Sequence, residues 1–450
     1  MDRSGLTAEG ALYEAVARGN KDTFFFKDDA TALSPFEQRY GPVPPVIHEL
    51  RRIPPLNGAD FGRSSEFSFD VAGDIVTKPT ILIDLPSWIP PEYLSQASQG
   101  LVQDLNGNTY GYTNGIAYFL FKKIQLYQDK ILLYEYSGDT LFASRSNRGS
   151  LNGAYMENRL AGFHDGSVAS IGAAAAPGRL RLEIPFVGTS FPSIAVRSQS
   201  FKLRLELRKI EEIVESSLAV PALPWLIPTF TTGSSTFAPL SKIAIGQPAL
   251  QLEARHIYTD GETQKALQDS SLEIPFQRLY ENTFTYNAAD YAPLIKSPTA
   301  VAPCSRRLDA VHPAGRLLWF FRSQDDLRAG RRYVFTDASG QEYYQRQSLI
   351  IAARDREPLN SPLLWNTIMN HAKEDRDCGP GIGVMNWDLG SYATQPEGSV
   401  NFGTADRPTL YTELALPVYT GQPSTECTAI VDSWALYMTE GGRGMLKYGN

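Results

Sequence analysis

Hydrophobic and polar residues alternate in short runs along much of this chain, and turn-forming residues separate the runs. Glu66-Phe67-Ser68-Phe69-Asp70-Val71 and Phe201-Lys202-Leu203-Arg204-Leu205-Glu206-Leu207-Arg208 place every second side chain on an apolar face. That is the pattern of a strand with one buried and one wet side. Thr80–Leu85 (TILIDL) and Ile116–Phe121 (IAYFLF) are more continuously apolar and read as deeply buried strands. Arg316–Phe321 (RLLWFF), Gln347–Ala352 (QSLIIA) and Leu410–Leu416 (LYTELAL) repeat the theme in the second half. Many short strands with turn chemistry between them predict packed β-sandwiches rather than alternating strand–helix units.

Helical patterns are few. Leu12–Ala17 reads as a short helix ended by Gly19. Asp260–Asp269 (DGETQKALQD) starts on a capping aspartate and continues in helix formers, which makes it the expected hinge between two β domains. Two stretches read as long loops. Residues 145–180 are rich in Gly, Ser, Asn and Ala. Residues 216–241 carry no charge but hold Trp225, Phe230, Phe237 and four prolines. An uncharged aromatic loop is expected to pack, either on its own chain or on another subunit. The string Leu-Glu-Ile-Pro-Phe occurs at Leu182–Phe186 and again at Leu272–Phe276, too close together to mark a repeat of whole domains.

Composition narrows the class. At 450 residues the chain has room for roughly two or three domains. A 42% hydrophobic share with only 20% charged residues excludes disorder or coiled coil as an account of the whole. The net charge is −7, and Arg51-Arg52 and Lys122-Lys123 are isolated basic pairs. Direct nucleic-acid binding is therefore not expected, because phosphate neutralisation needs a basic footprint. Cys304, Cys378 and Cys427 are odd in number and widely spaced, which supports neither a disulfide framework nor a zinc site. With no apolar signal core near Met1 and no membrane-length apolar run, a soluble intracellular product is expected.

Catalytic signatures are missing from the sequence. It contains no HExxH, GxSxG or Walker-type loop. Gly379-Pro380-Gly381-Ile382-Gly383 has the wrong spacing for a dinucleotide loop and reads as a turn-rich connector. The five histidines, His48, His164, His256, His312 and His371, do not cluster, and His312 before Pro313 reads as a turn or edge residue. Trp387-Asp388 is a place where a sugar-stacking ring and an acid could meet, weak support for a glycosidase, which needs two facing carboxylates. No catalytic, cofactor-binding or metal residue is assigned, and no cofactor is expected.

Several separated segments resemble, in order, the sequence blocks of one known protein family. Gly10-Ala11-Leu12 and Thr23-Phe24-Phe25-Phe26 resemble that family's opening segment, and Gly73-Asp74-Ile75-Val76 with Leu85-Pro86 its Gly-Asp-Leu-Ile…Leu-Pro block. Ile124-Gln125-Leu126 to Leu132 corresponds to its paired strands around an Ile-Gly-Gly turn, here replaced by Tyr127-Gln128-Asp129. Ile184-Pro185-Phe186 through Leu207, then Ala254–Asp260 with Glu262, resemble the next two blocks. Val311-His312-Pro313 with Leu317–Phe320 resembles the His-Pro-x-x-x-Leu-x-Trp strand. Gly398–Phe402 and Ser433–Leu436 with Gly442, Gly444, Met445, Leu446 and Tyr448 resemble the closing blocks.

The family is that of the major capsid proteins of the nucleocytoplasmic large DNA viruses, and the resemblance to it implies an all-β fold of two tandem eight-stranded jelly rolls with a few short helices and long surface loops. The implied divisions are an N-terminal segment at the capsomer base (1–22), a first jelly roll (23–262) and a second (263–450). It implies a non-enzymatic structural protein assembling as trimeric, pseudo-hexagonal capsomers of an icosahedral shell. Implied partners are further copies of the chain, neighbouring capsomers, minor capsid and penton proteins, and an inner viral membrane reached through the N-terminal segment. The expected location is the virion's outer shell, after synthesis in host cytoplasm. The competing readings are a two-domain β-sandwich carbohydrate-active enzyme and a glycan-binding protein.

Overall fold

The alternating segments fold as strands. The computed structural model describes residues 46–450 except 70–72, 87–102, 105–109, 147–158, 164–177, 189, 217–229, 233–234, 238–245, 370–380, 388–397, 404–407, 420 and 448–450. The expected helix at Leu12–Ala17, Trp225 and most of both long loops lie outside the described residues.

Eight strands build a first sandwich: β1 (Ile47–Ile53), β2 (Ser64–Phe69), β3 (Ile75–Asp84), β4 (Phe121–Gln128), β5 (Ile131–Tyr136), β6 (Arg179–Glu183), β7 (Phe201–Leu207) and β8 (Ala249–Tyr258). They pair antiparallel as β1-β8-β3-β6 in one sheet and β2-β7-β4-β5 in the other. Eight more repeat the order: β9 (Leu272–Tyr286), β10 (Pro303–Arg307), β11 (Pro313–Ser323), β12 (Tyr344–Ile351), β13 (Arg354–Asn360), β14 (Ile382–Asn386), β15 (Thr409–Leu414) and β16 (Thr425–Glu440). Here the sheets run β9-β16-β11-β14 and β10-β15-β12-β13. This interleaving of first with last and third with sixth strand, used twice, is the jelly-roll order. The repeated Leu-Glu-Ile-Pro-Phe string falls on β6 of one roll and β9 of the other, positions that are not equivalent.

Each roll buries the residues its period predicts. In β7, Phe201, Leu203, Leu205 and Leu207 point inward while Lys202 and Arg204 face water. They meet Phe67, Ile81, Ile83, Ile124, Leu126 and Leu252 from both sheets. Between β8 and β9 lies α1 (Gly261–Asp269). Asp260 caps it, its Oδ1 accepting from the Thr263 amide at 3.0 Å, as the sequence predicts.

The run Ile116–Phe121 departs from expectation. Ile116–Phe119 forms a one-turn helix after Gly115, and only Phe121 begins a strand. All four helical residues are buried, and periodicity cannot separate a strand from a helix turn when every side faces protein.

The turn between β4 and β5 explains how the chain manages without paired glycines. Asp129 has a φ of 52°, a conformation aspartate tolerates better than most residues. Its Oδ1 accepts from the Ser200 amide at 2.9 Å and hydroxyl at 3.0 Å, and its own amide donates to the Ser200 carbonyl at 2.8 Å. The equivalent turn of the second roll has no such support. Ile351 pairs with Arg354, and Ala352 and Ala353 between them have φ of 52° and 61°. Two positive φ values define a type I′ turn, which favours Asn-Gly. Converting the pair by Ala352→Asn and Ala353→Gly is expected to stabilise the chain by about 1–2 kcal/mol. The readout is a higher urea midpoint at unchanged slope, and an unmoved midpoint would show that the turn stores no strain.

Candidate functional site at the junction of the two rolls

In the first sheet of the second roll, β11 and β14 are buried on both faces, which accounts for the unbroken apolar run Leu317–Phe321 in β11. In β11, Leu317, Trp319 and Phe321 join the second roll's interior, whereas Leu318 and Phe320 join the core of the first. In β16, Cys427, Ala429 and Val431 point inward, while Ile430, Ala435 and Tyr437 pack toward the first roll. Phe335 stacks against Phe142 at 5.9 Å and packs on Phe320 at 4.9 Å between ring centres. Phe191 meets Tyr437 edge-on at 5.6 Å. The first roll's hydrophobic core thus continues without a break into the face of the second. Backbone approaches backbone here as well: at Gly330, φ 76°, an added Cβ would sit 2.2 Å from the Val214 carbonyl oxygen.

A short helix carries the polar half of the junction. Gly138–Ser146 follows β5 and turns Asp139, Thr140 and Ser144 into protein rather than water. The Asp139 carboxylate receives Arg208 from its own roll at 2.6 Å. Two arginines of the second roll, Arg322 and Arg332, also face it at 3.3 Å and 3.8 Å. Burial alone would raise the Asp139 carboxyl, but the three guanidiniums, Arg208 foremost, outweigh it and hold it at about 2. Arg322 also meets Glu426 at 3.1 Å. Arg332 donates to the Glu212 carbonyl at 3.1 Å and lies 3.9 Å from its carboxylate.

Further ties grip the same helix. Glu281 of β9 accepts from the Ser137 amide at 3.1 Å and the Thr140 hydroxyl at 2.6 Å, placing a negative charge at the positive end of the helix. Arg316, ion-paired with Asp432 at 2.7 Å across β11 and β16, donates to the Ser144 carbonyl at 3.0 Å and hydroxyl at 2.9 Å. A second cluster lies beyond β16: Gln199 accepts from the Gly444 amide at 2.6 Å, Gln128 donates to the Gly444 carbonyl at 2.9 Å, and Ser198 to the Gly442 carbonyl at 2.8 Å. What these groups do is fix one orientation of two sandwiches.

Among the described residues, those flagged for chemistry in the sequence do not converge. Trp387 Nε1 donates to Glu357 at 2.8 Å, and its ring packs against Phe402, while Asp388 lies outside the described residues. Gly383 sits within β14 opposite Trp319, where an added Cβ would lie 2.3 Å from the indole; it makes room for a ring and lines no phosphate loop. His312 has a φ of 77° and stands beside Tyr280, with its pKa lowered by burial and then by Arg278. His48 is on β1 and His256 is buried in β8, while His164, His371 and Cys378 lie outside the described residues. Among the described residues no three His, Cys, Asp or Glu side chains gather as a metal site would require, and no helix is long and apolar enough to cross a membrane.

Two jelly rolls in tandem, joined through a shared core, make this chain a double jelly-roll protein. Solved structures share the arrangement over nearly its whole length. PBCV-1 VP54, as fitted into a reconstruction of the virophage Sputnik, matches with a TM-score of 0.68 at 14% identity, covering 92% of this chain and 100% of that one. A chain of the quasi-atomic PBCV-1 virus capsid matches at 0.66, with 14% identity and the same coverage. The Faustovirus major capsid protein matches at 0.60 and 11% identity over 90% of this chain and 92% of its own. No family model and no curated protein matches the sequence. What is shared with these capsid proteins is the fold.

Proposed function

We propose that this chain is a major capsid protein, a non-enzymatic virion component that assembles as homotrimers in the icosahedral shell of a large double-stranded DNA virus. The observation that carries the reading is the duplicated strand order locked by a buried, charge-clamped junction. Three copies of a rigid two-roll block present six similar towers, which is how a trimer acquires a pseudo-hexagonal outline. Cyclic symmetry of this kind closes the assembly and leaves its outer faces for neighbouring capsomers. The near-complete coverage of PBCV-1 VP54 and the Faustovirus major capsid protein supports the same reading.

Within that reading the chain divides into a base segment (1–22), a first roll (23–262) and a second roll (263–450). Its partners are copies of itself, minor capsid and penton proteins, and a membrane beneath the shell met by the base segment. The net charge of −7 fits a shell protein with no direct contact to the genome. It is made in host cytoplasm and ends in the virion. Light scattering on a sizing column tests the core of this proposal. A homogeneous species of about 150 kDa, three times the 49.8 kDa chain, is the expected result. A monodisperse monomer of about 50 kDa overturns the trimer.

A further inference from the structure

We infer that one end of the second roll carries a binding site for a neutral oligosaccharide. A cavity of about 670 Å³ opens where three segments converge: Asn287–Ala289 after β9, Ser323–Arg328 at the end of β11 and in the short helix after it, and residues 417–419 with 421–424 between β15 and β16. Its volume lies within the range typical of small-molecule sites, and sandwich loops gathered at one end are a common place for recognition.

The walls are held from behind, so the cavity does not depend on a ligand for its shape. The Gln324 amide donates to the Ser424 carbonyl at 3.1 Å, joining two of the connections. Asp337 anchors the β15–β16 connection a second time, accepting from the Val418 amide at 3.3 Å while also bound by Ser339 and Gln341. Asp290 accepts from the Asn287 amide at 2.9 Å.

The lining chemistry selects the ligand class. The Asn287, Gln324 and Gln422 side chains supply amides, each both donor and acceptor, which suit vicinal hydroxyls. Arg328 and Asp325 lie 3.8 Å apart and neutralise one another, and no lysine lines the cavity. A phosphate or sulfate therefore finds no uncommitted cation. Tyr419, 38% exposed, and Val418, 60% exposed, give the rim an apolar patch on which the C–H face of a sugar ring can rest. A lipid would need a mostly apolar wall. A peptide added as a strand would need a free sheet edge, and these walls are turns and a short helix.

This inference does not depend on the capsid reading, because the cavity lies within one chain. The test is an array of neutral oligosaccharides terminating in glucose, galactose, mannose or N-acetylglucosamine, probed with the full-length assembled protein. Binding to at least one neutral class is expected. It should weaken about tenfold or more in Tyr419→Ala and again in Gln422→Ala, with assembled mass and thermal midpoint unchanged. No signal above a control protein overturns the site, as does binding that both variants retain. Binding confined to sulfated or sialylated probes overturns the neutral class.

Discussion

Replacing Asp139 with alanine is expected to destabilise the chain by about 3–5 kcal/mol, because it strands buried cations that the carboxylate holds together. Arg208, Arg322 and Arg332 all face this one group. Glu426 and Glu212 answer only the outer parts of the cluster. The pH dependence distinguishes loss of the charge from loss of packing. A folded pKa of about 2, below the ordinary aspartate value, means that the unfolded chain takes up the proton first as pH falls. The linked stability, roughly 2 kcal/mol, is therefore fully present above about pH 5 and is lost as pH drops toward the folded pKa. In urea titrations the gap between wild type and Asp139→Ala should be constant near neutrality and close progressively below about pH 4. Asp139→Ala combined with Arg322→Met should recover part of the loss, since one cation no longer needs an answer. A deficit below about 1 kcal/mol, or one that ignores pH, would show that the network adds nothing to the junction.

Legibility in the sequence followed the range of the interaction. β7 alternates because one of its faces meets water, and Asp260 announces α1 because its partner is three residues away; both are visible locally. RLLWFF in β11 was readable as buried but not as a strand shared between two cores, because burial on both faces erases the alternation that would assign sides. The helix at Gly138–Ser146 has no clean apolar stripe, since it buries Asp139, Thr140 and Ser144 alongside Leu141 and Ala143. Their partners Arg322, Glu281 and Arg316 lie far along the chain, so no local pattern betrays them. The Ala352–Ala353 turn is hidden for a different reason: it breaks turn chemistry, and QSLIIA reads as strand one residue beyond its true end at Ile351. The collinear resemblance carried the double jelly roll where periodicity alone supported only sandwiches. The clamp that joins the rolls emerged only in three dimensions.

Trp319→Ala and Phe320→Ala, neighbours on β11, are each expected to cost about 3–5 kcal/mol, yet to fail differently. Trp319 fills the second roll, edge-on to Trp365 at 6.1 Å and to Tyr344 at 6.2 Å. Its loss should loosen that roll from within and move tryptophan fluorescence to lower denaturant than circular dichroism. Phe320 points the other way, into the first roll's core and against Phe335, so its removal spares the second roll's interior and opens the seam. Phe320→Ala should therefore lower the stability of the joined block while keeping native fluorescence from the second roll past the first loss of structure. Coincident transitions by both probes in both variants would mean that the rolls unfold as one unit however the core is cut. In the separated outcome the seam sets the cooperativity. The joined block then relies on the Phe320 contact and the Asp139 cluster together, because apolar burial resists separation while directional ion pairs resist sliding.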